Sequence, residues 1–176
     1  MKISTLLLRE PFKEIFSKTI EKFLFDKTNI KYTVVWNNPI NVGKDEAQKW
    51  QCNSNINSIF LKNSKPEIFS SINGEYSYNP LKPWKSIIQK IYLVFAQSRI
   101  SSSFFADNYI NIYPHIIDSE YKLFIGGNTK VRLIDLKKKK VYVILKDGFD
   151  SKFIENELYI KSNFKYIPTP KIIDST

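Results

Sequence analysis

Two charged side chains in the last third of this chain stand where apolar packing would not place them. Lys146 closes the run Val141-Tyr142-Val143-Ile144-Leu145-Lys146, the most apolar strand-like segment, and shares a face with Tyr142 and Ile144. Glu157 belongs to the helical pattern that follows. With Phe153 at zero and about 100° per residue, Ile160 falls near 340°, Phe164 near 20° and Glu157 near 40°, whereas Glu155 falls near 200°. A carboxylate inside an apolar arc needs a partner, because an unpaired buried charge costs several kcal/mol. Lys146 is the candidate. Upstream, Gly126-Gly127-Asn128-Thr129 joins two further strand-like runs. Glycines let backbone N–H groups approach phosphate oxygens, a lysine supplies a point charge, and a glutamate fixes that lysine's direction. Glycine turn, strand-end lysine and helix glutamate, in that order, make a phosphate-handling constellation.

The elements that position these residues are legible around them. Tyr121–Ile125, Lys130–Leu136 and Val141–Lys146 read as strands, with a tight turn at Gly126-Gly127-Asn128 and a solvated hairpin turn at Lys137-Lys138-Lys139-Lys140. Short turns make the three antiparallel. Asp147-Gly148 ends the sheet, and Asp150 or Ser151 can cap a helix from about Lys152 to Asn163. In Ile167-Pro168-Thr169-Pro170-Lys171-Ile172-Ile173 the Pro-X-Pro enforces an extended backbone before one more apolar strand.

Taken together, Ile125-Gly126-Gly127-Asn128-Thr129-Lys130, Val143-Ile144-Leu145-Lys146, Glu155-Asn156-Glu157-Leu158 and Ile167–Ile173 resemble the N-terminal lobe of the aminoglycoside phosphotransferase and choline kinase-like family of small-molecule kinases. The resemblance covers residues 121–176. It implies that Gly126, Gly127, Asn128 and Thr129 cover the phosphates of ATP, that Lys146 contacts the α- and β-phosphates, and that Glu157 pairs with Lys146. It also implies an acceptor hydroxyl on a small molecule. The family's catalytic aspartate, the asparagine after it and the metal-binding aspartate belong to a C-terminal lobe that would follow Thr176. The expectation is therefore the N-terminal part of an ATP-dependent phosphotransferase, not catalytic alone, with Mg2+ needed only once the missing lobe is supplied, for instance by a separate chain. The sole histidine, His115, precedes the glycine turn and so does not stand in a catalytic loop.

Residues 1–118 read as an accessory α+β region, and 119–176 as the kinase N-lobe-like nucleotide-binding unit. Phe12, Ile15, Phe16, Ile20, Phe23 and Leu24 trace an amphipathic helix that Pro11 can start, and Ile30–Trp36 reads as a strand ended by Asn37-Asn38-Pro39. Asp45–Trp50 suggests a short helix, Cys52-Asn53-Ser54-Asn55 a polar connection, and Ser58–Leu61 a strand. Asn73-Gly74 between Ile68–Ile72 and Glu75–Tyr78 signals a hairpin. From Trp84 to Phe95 the apolar positions widen until a largely buried helix is expected, and Ser101–Ile117 reads as a less regular stretch, helical as far as Pro114. The whole is α+β: a mixed N-terminal region followed by an antiparallel-sheet-plus-helix unit. No carboxylate pair, nucleophile with an adjacent base or metal-ligand cluster stands out in residues 1–118.

Composition narrows the function classes. A chain of 176 residues with 43% hydrophobic and 15% aromatic residues is apolar enough to fold and too short for a multidomain machine. The +10 charge invites nucleic acid, yet residues 1–118 carry 15 Lys/Arg against 10 Asp/Glu, and 119–176 carry 12 against 7, so each part is +5. No segment owns the charge. Most of the 27 cations are Lys, the bias an AT-rich coding sequence produces. Nucleic-acid binding is therefore not expected, and the alternative to a phosphotransferase is a non-catalytic basic module for an acidic partner or nucleic acid. The single cysteine, Cys52, forms no internal disulfide, which suits a reducing cytoplasm. Leu6-Leu7-Leu8 is cut short by Arg9-Glu10, and Ile91–Ala96 is far too short to span a bilayer, so no membrane anchor is expected.

Overall fold

The computed structural model describes residues 2–9, 11–39, 47–70, 72–73 and 83–163. Phe12, Phe16, Ile20 and Leu24 recur every four residues, and with Thr19 they are the buried face of α2 (Phe12–Thr28). The helix stops at Asn29, whose left-handed backbone returns its N–H to the Phe25 carbonyl. Before it lies α1 (Ile3–Arg9), which buries Ile3 and Leu6.

Seven strands form one antiparallel sheet: β1 (Thr33–Trp36), β2 (Gln48–Asn53), β3 (Ser58–Leu61), β4 (Asn108–Tyr113), β5 (Lys122–Gly126), β6 (Lys130–Asp135) and β7 (Lys140–Leu145). Their order is β1-β4-β2-β3-β5-β6-β7. The β3–β5 pairing, Ser58 opposite Ile125 and Ile59 opposite Phe124, joins the strands on either side of residue 118.

Laid flat, six inter-strand gaps of about 4.8 Å would separate β1 from β7 by roughly 29 Å, far more than the ~10 Å width of a helix. Yet α2 touches both edges. Glu21 Oε1 accepts the Val34 N–H at 2.8 Å, and Thr19 Oγ1 accepts the Asp147 N–H at 2.8 Å. Phe16 meets Trp36 of β1 at 5.5 Å, and Phe23 meets Tyr142 of β7 at 5.4 Å. The sheet is therefore curled around α2.

Alternation along the strands sorts the core into two layers. Trp50, Cys52, Ile59, Phe124, Val131, Leu133 and Ile144 pack with α1 and α2. Phe60, Leu123, Ile125 and Ile134 turn the other way, toward a 3-10 helix (Pro66–Phe69) and α3 (Pro83–Gln97). A short α4 (Ser102–Phe105) leads into β4, a second 3-10 turn (Ser119–Tyr121) leads into β5, and α5 (Lys152–Asn163) follows β7. In the Asp147–Ser151 connection, Asp150 Oδ1 accepts the Lys152 N–H at 2.9 Å, the cap expected for α5.

The α+β class, the amphipathic helix, and the strands at 33–36, 58–61, 122–126, 130–135 and 140–145 agree with the sequence reading. Four local expectations do not. The segment expected as a helix at 45–50 becomes β2 from Gln48, because pairing on both sides with β3 and β4 overrides local propensity; Asp45 and Glu46 lie outside the described residues. Ile68 and Phe69 lie in the 3-10 helix that Pro66 opens, and Ile72-Asn73 is helical, so no strand runs into Asn73. Glu75–Tyr78, the other arm of that hairpin, lies outside the described residues. The helix expected from Ser101 to Pro114 ends at Phe105, and β4 follows, burying Ile110 and Ile112 at strand spacing. Finally, α3 buries only Leu93 and Ala96 among its hydrophobic residues and leaves its widest apolar stripe exposed. The Pro168-Thr169-Pro170 segment lies outside the described residues.

Candidate functional site

The β5–β6 hairpin carries the glycine turn. Gly126 ends β5, buried, opposite Val131; Asn128 is exposed; Lys130 opens β6. The pairing of β6 with β7 continues one step past the strands, where the Lys146 N–H donates to the Thr129 carbonyl at 3.0 Å. The backbones of two expected site residues, Thr129 and Lys146, are thus held against each other by the ladder.

Each glycine has a visible steric cause. A Cβ on Gly126 would lie 2.5 Å from Ile3 Cγ1 and 3.0 Å from Asn57 Oδ1. The same Asn57 side chain donates to the Gly126 carbonyl at 2.7 Å and accepts the Ile3 N–H at 3.1 Å. Asn57 therefore ties the start of α1 to the end of β5. At Gly127 a Cβ would come within 2.6 Å of the Lys130 carbonyl, so the turn closes this tightly only with glycine.

Lys146 is 1% exposed. Its Nζ lies 4.9 Å from the ring centre of Phe12 on α2 and 5.5 Å from that of Phe149, positions in which the negative ring faces attract a cation. Glu157, on the second turn of α5, reaches the hairpin: its Oε2 forms an ion pair with Lys130 Nζ. The glycine turn, Lys130, Lys146 and Glu157 are thus gathered at one end of the β5–β7 sheet. Sequence reasoning missed Lys130, Asn57, Ile3 and Phe12. Lys130 was legible in principle, since antiparallel register places it opposite Leu145. The contacts of Ile3 and Asn57 with Gly126 span more than sixty positions and leave no local pattern.

At the far end of the same hairpins a second group of charges has a structural task. Lys122 and Asp135 face each other across β5 and β6, both buried, with Nζ and Oδ2 3.3 Å apart. Lys122 also donates to the carbonyls of Ile117 at 2.7 Å and Asp118 at 3.3 Å, while Asp135 Oδ1 accepts the Lys138 N–H at 3.0 Å. Nearby, the Lys137 hydrogen bond to Asp118, 2.7 Å, holds the aspartate carboxyl below its usual range and raises the lysine. The lysine run at 137–140 is the expected hairpin turn, with Lys139 in the left-handed region at φ 52°. Burial, reinforced by the charge of Asp107 and opposed by Lys13, pushes the Cys52 thiol far above its ordinary value. It is a packing residue in this state. Among the described residues no group of three or more His, Cys, Asp or Glu side chains could hold a metal ion, and no helix is long and apolar enough to cross a membrane.

Set against family models, curated proteins and solved structures, the chain matches none of them.

Proposed function

We propose that residues 119–176 form a kinase N-lobe-like unit that binds the phosphates of ATP, as the N-terminal part of a small-molecule phosphotransferase acting in the cytoplasm. The observation that carries this reading is the arrangement at one end of β5–β7. A glycine hairpin, a lysine immediately after the third strand and a helix glutamate returned to the hairpin occur in the order the resemblance implies. In this reading Gly126 to Thr129 present backbone N–H groups to phosphate oxygens, Lys146 supplies the charge, and Glu157, joined to Lys130 in the described state, is the group that directs Lys146. Magnesium, the acceptor hydroxyl and the proton-accepting carboxylate would meet the nucleotide only together with a catalytic lobe.

The described state adds a requirement. Lys146 is covered by Phe12, and Gly126 by Ile3, so a nucleotide reaching both must shift the α1–α2 layer. Modest affinity follows, because opening the layer is subtracted from the phosphate contacts. The test is a thermal shift of the full chain with Mg-ATP, using Lys146→Met to keep apolar volume at the site. A rise in melting temperature with wild type and none with the variant supports the reading. An equal response from both, or none from wild type, overturns it.

A second reading, a non-catalytic basic module for an acidic partner, is favoured by one observation: the exposed apolar stripe of α3 lies in a stretch, residues 83–106, whose only charges are Lys85, Lys90 and Arg99.

A further inference from the structure

The layer opposite α2 ends in a surface that the described chain leaves bare. Trp84, Ile87, Ile88, Ile91 and Phe95 of α3 are each 51% to 60% exposed. With Trp84 at zero and about 100° per residue, the five fall between roughly −60° and 40°, a single stripe. The buried Ala96 and Leu93 fall near 120° and 180°, so the stripe points away from the sheet. Lys85 falls near 100° and Lys90 near 240°, one on each flank. Beyond the helix, Ile100 and Phe104 are 86% and 88% exposed.

Charge selects what covers this ridge. Residues 83–106 contain Lys85, Lys90 and Arg99 and no carboxylate. Among the described residues the exposed acids next to this layer are Glu67 of the 3-10 helix and Asp107, just after α4. A second copy meeting the ridge helix to helix would set Lys85 and Lys90 against their own counterparts, with no carboxylate on α3 itself to pair them, which is unfavourable. A bilayer with anionic headgroups has neither problem. Its planar apolar interior accepts a convex ridge, its headgroups meet the flanking lysines, and a tryptophan at the helix end suits the interface.

We propose that α3 is a docking helix that lays this protein on an anionic membrane surface, with the Trp84–Phe95 stripe inserted at the headgroup boundary and Lys85 and Lys90 on the lipid phosphates. Lying on a bilayer needs one apolar stripe, whereas crossing it needs about 20 apolar residues. The proposal is independent of nucleotide binding at the opposite layer.

The test is sedimentation of the full chain with phosphatidylcholine vesicles, with and without phosphatidylserine. Tryptophan emission gives a second readout, because Trp36 and Trp50 are buried and a vesicle-induced blue shift reports Trp84. Binding is expected to the anionic vesicles and to weaken about 30-fold in Lys85→Gln/Lys90→Gln. It is expected to vanish in Ile87→Ser/Ile91→Ser, whose exposed positions spare the fold. No binding to anionic vesicles, equal binding to both compositions, or binding that survives the Ile87→Ser/Ile91→Ser change overturns the proposal. So does a dimer in sedimentation equilibrium that the same serine changes dissolve, which would assign the stripe to a second copy.

Discussion

Ile3 fills the space that a side chain at Gly126 would need. A methyl at 126 would sit 2.5 Å from Ile3 Cγ1, with Asn57 Oδ1 at 3.0 Å behind it, so Gly126→Ala overpacks the joint between α1 and β5. A cost of about 1–3 kcal/mol is expected in urea unfolding. Ile3→Ala should be destabilising in the wild type yet recover part of the loss in the Gly126→Ala background. Gly148, at φ 79° with open space around its Cβ position, should respond differently. Gly148→Ala is expected to cost about 1 kcal/mol with no rescue from Ile3→Ala, because only backbone strain is involved.

Two lysine–carboxylate pairs at the hairpins, one buried and one not, should differ sharply in worth. Lys122 and Asp135 are buried, with side chains 9% and 0% exposed. Removing one partner strands the other, so Lys122→Met or Asp135→Leu is expected to cost about 3–5 kcal/mol, and the double change Lys122→Met/Asp135→Leu less than the sum. Lys130 and Glu157 are 21% and 39% exposed, and solvent screens them. Glu157→Gln is expected to move stability by about 0.2–1 kcal/mol. Chemical denaturation of the four variants measures the contrast.

Cys52 should be inert while the protein is folded. Its buried thiol is held far from ionisation, so an aromatic disulfide reagent at pH 8 should release no chromophore from native protein and one equivalent after unfolding in guanidinium. Rapid labelling of the native chain would contradict the packing of β2.

Asp118 gives a pH signature. The Lys137 hydrogen bond lowers its carboxyl below the ordinary 3.8, so the folded state binds this proton less readily than the unfolded chain. The associated stabilisation is present above 3.8 and is lost as the pH falls through the lowered folded value. The carboxyl carbon shift of Asp118 should titrate below 3.8 in the wild type and move up in Lys137→Ala.

The parts of the fold with local causes were legible in the residues. Phe12, Phe16, Ile20 and Leu24 repeat at helical spacing, Gly126-Gly127 and the lysine run mark turns, and the three strands between them followed. What escaped was set by distant partners. Gln48–Asn53 reads as helix or loop until β3 and β4 flank it, and Ile110 and Ile112 alternate weakly among polar neighbours. The apolar width of α3 suggests burial, whereas that stripe faces outward. At the candidate site, Lys146, Glu157 and the glycine turn were visible from type and order. The closure of Phe12 and Ile3 over them depends on the sheet curling around α2, which no short window of sequence encodes.

The central claim is that Lys146 and the glycine turn bind nucleotide phosphates. Isothermal titration of the full chain with Mg-ATP tests it most directly, with Lys146→Met as the paired sample and unliganded melting temperatures confirming that both are folded. The account predicts saturable one-site binding by the wild type that the variant loses. Absence of binding by the folded wild type, or equal affinity in the folded variant, would contradict it.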